Sequence, residues 1–160
     1  MLFFGHIAVS VALADATDSD PAAAVAGNLL PDVVDKSLRF VARLTASRWL
    51  AHGLPSLTIA CALTRPLLPE RTWRGFALGY ASHLAADLWA GGKVPWLAPF
   101  LGDGRPRFDP YTTNWFLKNL GPEVAGLVFL YLRNRDQLPL RSMSRSSRIW
   151  ARRSTAETVS

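Results

Sequence analysis

The 160-residue chain has one cysteine, Cys61. That excludes a disulfide framework and any multi-cysteine zinc site. Histidine is scarce too, with only His6, His52 and His83, so a metal would be held by imidazoles and carboxylates and would draw on most of the histidines. No stretch alternates in polarity for long enough to make a sheet, and no internal repeat is present. Charged residues are only 19% against 49% hydrophobic, which excludes a wholly disordered chain. The mean hydropathy, +0.12, is high for a soluble domain and low for a fully embedded one. The length suggests one domain.

Acidic residues are nearly absent from the C-terminal region. Residues 133–153 carry seven arginines and one acid, Asp136, whereas residues 1–132 carry eleven Lys or Arg and ten acids. The basic charge therefore belongs to a tail and not to a folded face. A Ser- and Arg-rich run of this kind reads first as a solvated disordered tail. It reads second as the cytoplasmic flank of a membrane protein. Nucleic-acid binding ranks last, because it calls for basic residues on a folded surface among aromatic or polar readers.

The apolar run 1–14 has no basic residue before it, so it makes a poor signal peptide. It is also shorter than the roughly 20 residues of a spanning helix. Residues 15–21 are acidic and turn-like. Residues 22–30 suit a helix that Pro31 stops or bends, and residues 36–48 are amphipathic. Residues 49–64 carry no formal charge and residues 75–92 carry one, Asp87. Residues 94–110 read as a loop, and Gly121-Pro122-Glu123 as the start of a helix that ends near Asn134. The class is all-α: a bundle of about four to six helices, compact or membrane-embedded, with a helical domain over 1–137 and a disordered basic tail over 138–160. If the apolar helices span, the basic loop 65–74 and the tail fall on the cytoplasmic side, and the Asp-rich stretch 15–35 faces outward.

Several polar residues interrupt the apolar stretches. His83 and Asp87 are four apart, on one helix face, where they suit a shared metal or a histidine oriented by a carboxylate. Asp32 and Asp35 follow Pro31, where capping of a new helix is the simpler reading. His52 sits just inside an apolar segment, four residues after Arg48. Burying an unpaired charge is costly, so buried carboxylates are paired or bound to metal. One shared site of His6, Asp32 or Asp35, His52, His83 and Asp87 satisfies all of them together. Its donors suit zinc, with manganese and iron also open.

The ordered motifs MLFFGHIAVS, GNLLPDVVDK, SRWLAHGL and GYASHLAADL resemble the inner-membrane-associated metal-dependent hydrolase (YdjM-like) family over about residues 1–100. More remotely, the order of His and Asp is similar to the zinc-dependent phospholipase C and single-strand nuclease superfamily, which is all-helical and cleaves phosphodiesters. Ser47, Ala51 and Gly53 stand where the family often has His, Thr and Ser, and no His follows His83. The resemblance implies metal ligation by His6, Asp32 or Asp35, His52, His83 and Asp87. Metal-assisted hydrolysis would then use Asp32 or Asp35 as the proton acceptor and Arg48 to neutralise an anionic substrate. Membrane lipid is the expected partner, and a lipid or small phosphoester the expected substrate. The rival expectation is a non-catalytic membrane protein whose His–Asp or metal cluster is structural.

Overall fold

The computed structural model describes residues 3–42, 49–89, 95–98, 100 and 113–135. Five helices occur in them: α1 (Phe3–Ala16), α2 (Pro21–Ala42), α3 (Leu54–Thr64), α4 (Glu70–Trp89) and α5 (Thr113–Asn134). Among the described residues there is no strand, as the sequence predicts. The chain divides into two compact units, Met1–Leu127 and Val128–Ser160. The described part of the second unit is the end of α5, where Phe129 and Leu130 are half-buried and Asn134 donates to the Leu130 carbonyl at 2.9 Å. The expected tail, 138–160, lies outside the described residues.

In the first unit a tight turn reverses the chain between α1 and α2. Asp18 adopts φ 48°, a left-handed conformation that Asp tolerates better than most residues. Asp20 caps α2, its Oδ1 accepting from the Ala22 and Ala23 N–H groups at 2.9 and 3.3 Å, and Pro21 opens the helix with the φ it needs. α4 then packs parallel to α2. The Asp20 N–H donates to the Arg71 carbonyl at 3.2 Å, and farther along Asn28 donates to Ser82 Oγ at 3.1 Å. The two backbones come so close that a Cβ at Gly79 would run into the Ala24 carbonyl, and one at Gly27 into that of Phe76. Glycines at these positions let α2 and α4 bring their polar residues together.

Several expectations are corrected. Pro31 does not end a helix: α2 runs through it to Ala42, and Asp32, no cap, instead pairs with Lys36 at 2.8 Å within the helix. The uncharged stretch 49–64 is helical only from Leu54, with Gly53 as the N-cap, and α5 begins at Thr113 with Pro122 inside it. The expectation that the acidic stretch and the basic loop lie on opposite sides also fails. Arg71 pairs with Asp18 at 3.0 Å and Arg74 donates to the Thr17 carbonyl at 2.9 Å, so the acidic turn and the basic loop share one end of the bundle. No helix of the described residues is long and apolar enough to cross a membrane.

The interior is small and polar. The buried apolar residues among those described are mostly alanines, with Val11, Tyr80 and Leu84. Beside them lie His6, Ser10, Asn28, Asp35, His52, His83 and Asp87. The large apolar side chains are mostly outside, and α3 buries none of its residues.

Candidate metal centre

Four segments converge at one end of the first unit. α1 brings His6 near its start, α2 brings Asp32 and Asp35, and α4 brings His83 and Asp87 one turn apart. The fourth is the turn 49–53, which carries His52. Tyr80 fixes that turn by donating its hydroxyl to the Ala51 carbonyl at 2.6 Å. Beyond the site, Glu123 of α5 accepts from the Phe4 and Gly5 N–H groups at 2.8 and 2.9 Å, satisfying donors that the start of α1 would otherwise leave open.

The donor atoms meet closely. His52 Nε2 lies 3.2 Å from His83 Nε2 and 3.6 Å from Asp87 Oδ2, and His83 Nε2 is 3.7 Å from the same oxygen. Atoms at these separations lie on a circle of about 2.0 Å radius, the length of a zinc–nitrogen or zinc–oxygen bond. Asp87 turns its other oxygen to His6, with Oδ1 3.4 Å from His6 Nε2. The His6 and His83 rings stack with centroids 4.4 Å apart. Asp32 Oδ1 reaches to 3.7 Å from His52 Nε2. Two triads thus offer ligand atoms within 4.8 Å of one another: His6, His83 and Asp87, and Asp32, His52 and His83.

Asp35 stands outside both triads. It accepts from His52 Nδ1 at 2.7 Å and from the Trp49 and Ala51 N–H groups at 2.6 and 3.0 Å. Burial alone would raise its carboxyl, but the His52 bond and then the two backbone donors hold it below the ordinary value of 3.8. An ionised Asp35 on Nδ1 fixes the proton there and leaves His52 Nε2 as a lone pair aimed at the cluster. Asp32 is also held below 3.8: burial raises it, while the Lys36 hydrogen bond and the nearby positive charges outweigh that. His83 is pushed down to about 3, first by burial and second by His6, so its imidazole is neutral at neutral pH. Neutral imidazole and ionised carboxylate are the forms that bind a metal. The donor set therefore fits a divalent cation and does not choose among zinc, manganese and iron.

The structure brings together His6, Asp32, His52, His83 and Asp87 as the sequence predicts, with Asp35 behind His52. Arg48 lies outside the described residues. Sequence reasoning missed Tyr80, Asn28 and Ser82. Tyr80 lies within the Gly-Tyr-x-x-His-x-x-x-Asp motif, three residues before His83, and that proximity is the one signal that could have found it. The YdjM inner membrane protein family matches residues 1–151. No curated protein and no solved structure matches the chain.

Proposed function

The chain belongs to the YdjM inner membrane protein family, and from that premise we propose that it is a membrane-associated metal-dependent hydrolase acting on phosphoester or lipid substrates. The observation that carries the reading is the triangle of His52 Nε2, His83 Nε2 and Asp87 Oδ2 with sides of 3.2, 3.6 and 3.7 Å. These three residues would hold a divalent cation, with His6 completing the set beside Asp87. A bound divalent ion would supply Lewis acidity, lowering the pKa of a coordinated water and polarising a phosphoryl or acyl oxygen.

The chain's own residues do the rest. Asp35 is a positioning residue: it holds the proton on His52 Nδ1 and keeps Nε2 aimed inward. Asp32 is the one cluster residue with appreciable access to solvent, its side chain 32% exposed while His52 is fully buried. With Oδ2 on Lys36, its Oδ1 is placed to accept a proton from an attacking water. Arg48, four residues before His52 in the sequence, would neutralise an anionic substrate. The Arg-rich tail would sit on the cytoplasmic side, drawn to the anionic lipid of that leaflet.

The experiment is metal analysis of detergent-purified protein with a phosphodiester assay. Wild type should carry a divalent metal and hydrolyse, His83→Ala should lose both, and Asp32→Asn should keep the metal and lose hydrolysis. A second reading, a structural cluster, is favoured by the near-complete burial of His52, His83 and Asp87. It predicts full metal occupancy with no hydrolysis of any phosphoester or lipid ester offered.

A further inference from the structure

The two ends of the first unit differ in chemistry. Its exposed aromatic residues, among those described, are Phe3, Phe4, Phe40, Trp89, Trp96 and Phe100. All six lie at the metal-centre end. Phe3 and Phe4 open α1 just before His6, Phe40 is in the last turn of α2 beyond Asp35, and Trp89 follows Asp87 by two residues. Trp96 is tied to the same end by its carbonyl, which accepts from the Leu54 N–H at 2.9 Å, and the Phe100 N–H continues that turn on the Leu97 carbonyl at 2.9 Å. Phe40 and Phe100 are 88% and 71% exposed.

Charge is sorted the same way. The exposed acids of the described residues in this unit, Asp15, Asp18 and Glu70, sit at the opposite end. There they share the surface with Arg65, which pairs with Glu70 at 2.6 Å, and with Arg71 on Asp18. The aromatic end carries Lys36 and Arg39, both exposed. Its one partly exposed acid among the described residues, Asp32, is paired with Lys36 at 2.8 Å, which leaves Arg39 as the cation without an acid beside it in that turn.

Aromatic rings with scattered cations are the chemistry of a bilayer interface, where rings sit at headgroup depth and Lys or Arg meets lipid phosphate. We propose that the first unit docks end-on on an anionic bilayer through these six aromatics, with Arg39 on the headgroups, so that the Asp32 side of the metal centre faces lipid. Phe40 lies eight residues beyond Asp32 on α2, about 12 Å along the helix. Rings buried roughly 5–10 Å into the interface leave Asp32 at the level of the headgroups. A substrate would then reach the site from the membrane. The docking stands on surface chemistry and needs neither a bound ion nor hydrolysis.

The test uses the full chain with Cys61→Ser and one new cysteine at a time, labelled with an environment-sensitive nitrobenzoxadiazole dye. Vesicles contain phosphatidylethanolamine and phosphatidylglycerol. The dye should brighten at F40C, W89C and F100C, stay unchanged at E70C, and be quenched by lipids with a nitroxide near the carbonyl. Arg39→Gln should weaken binding about five-fold, as expected for loss of one basic residue near an anionic surface, and less in high salt. Equal brightening at E70C would overturn end-on docking. So would vesicle binding without brightening at F40C and F100C. Brightening on native inner-membrane vesicles but not on pure lipid would assign the face to a protein instead. Repeating the measurement after chelation separates its failure from that of the hydrolase reading.

Discussion

Replacing Asp35 with Asn tests whether this buried carboxylate acts through His52. The carboxylate receives three donors: His52 Nδ1 and the N–H groups of Trp49 and Ala51. Asn keeps one acceptor oxygen and turns an NH₂ toward the remaining donors. His52 then relaxes most easily by accepting from that NH₂ at Nδ1, which moves its own proton to Nε2. A protonated Nε2 cannot ligate. Loss of a group that orients a ligand typically lowers metal affinity 10–100-fold, roughly 1.4–2.8 kcal/mol, and each buried donor left unmet costs about 1–3 kcal/mol of stability. Affinity is read by competition against a chromophoric chelator in detergent, with far-UV circular dichroism confirming that the helices persist. Asp35→Asn added to His52→Ala should cost little more metal affinity than His52→Ala alone, the non-additivity expected when one residue acts through the other. Wild-type affinity in Asp35→Asn, with helix content intact, would refute the assignment of His52 Nε2 as a ligand held by Asp35.

Other expected outcomes follow from the same geometry. Gly79→Val, which drives a side chain into the Ala24 carbonyl, should lower stability by about 1–3 kcal/mol in chemical denaturation. It should also lower metal content, because His83 lies one turn farther along α4. Glu123→Ala removes the acceptor for two N–H groups at the start of α1 and should cost about 1 kcal/mol, as loss of a helix cap does. Hydrogen exchange should show faster opening at residues 4 and 5. The folded-state pKa of His83 is depressed from 6.5 to about 3, so the folded protein binds fewer protons than the unfolded chain between those values. The contribution is fully present above about pH 6.5 and is lost as pH falls toward 3. Denaturation of chelated protein across that window should show stability falling with acid, more steeply than in His83→Gln.

How much of this was legible from the chain alone depended on what kind of signal each element carried. The pairing of His83 with Asp87 follows from helix spacing, which needs only that residues 75–89 be helical. His6 and His52 stood out because each interrupts an apolar stretch. Asp32 and Asp35 could not be told apart, since three residues put both on nearly one face of α2. What separates them is tertiary: the turn 49–53 folds its N–H groups over Asp35 and leaves Asp32 at the surface. Pro31 was misleading for a similar reason. A proline denies one hydrogen bond to the preceding turn, but Pro31 is buried against neighbours, and packing of α2 on α4 outweighs that local loss. The apolar stretches misled most. Reading 49–64 as core or as a span assumes that its apolar residues face away from water together, as those of α4 around Tyr80 and Leu84 do. Here α3 buries none of its side chains, while the unit encloses His52, His83, Asn28 and Asp87. When polar residues hold much of the interior and most of the large apolar side chains face outward, hydrophobic periodicity describes mainly the outer surface, and the centre is better found from the few polar residues that break the pattern.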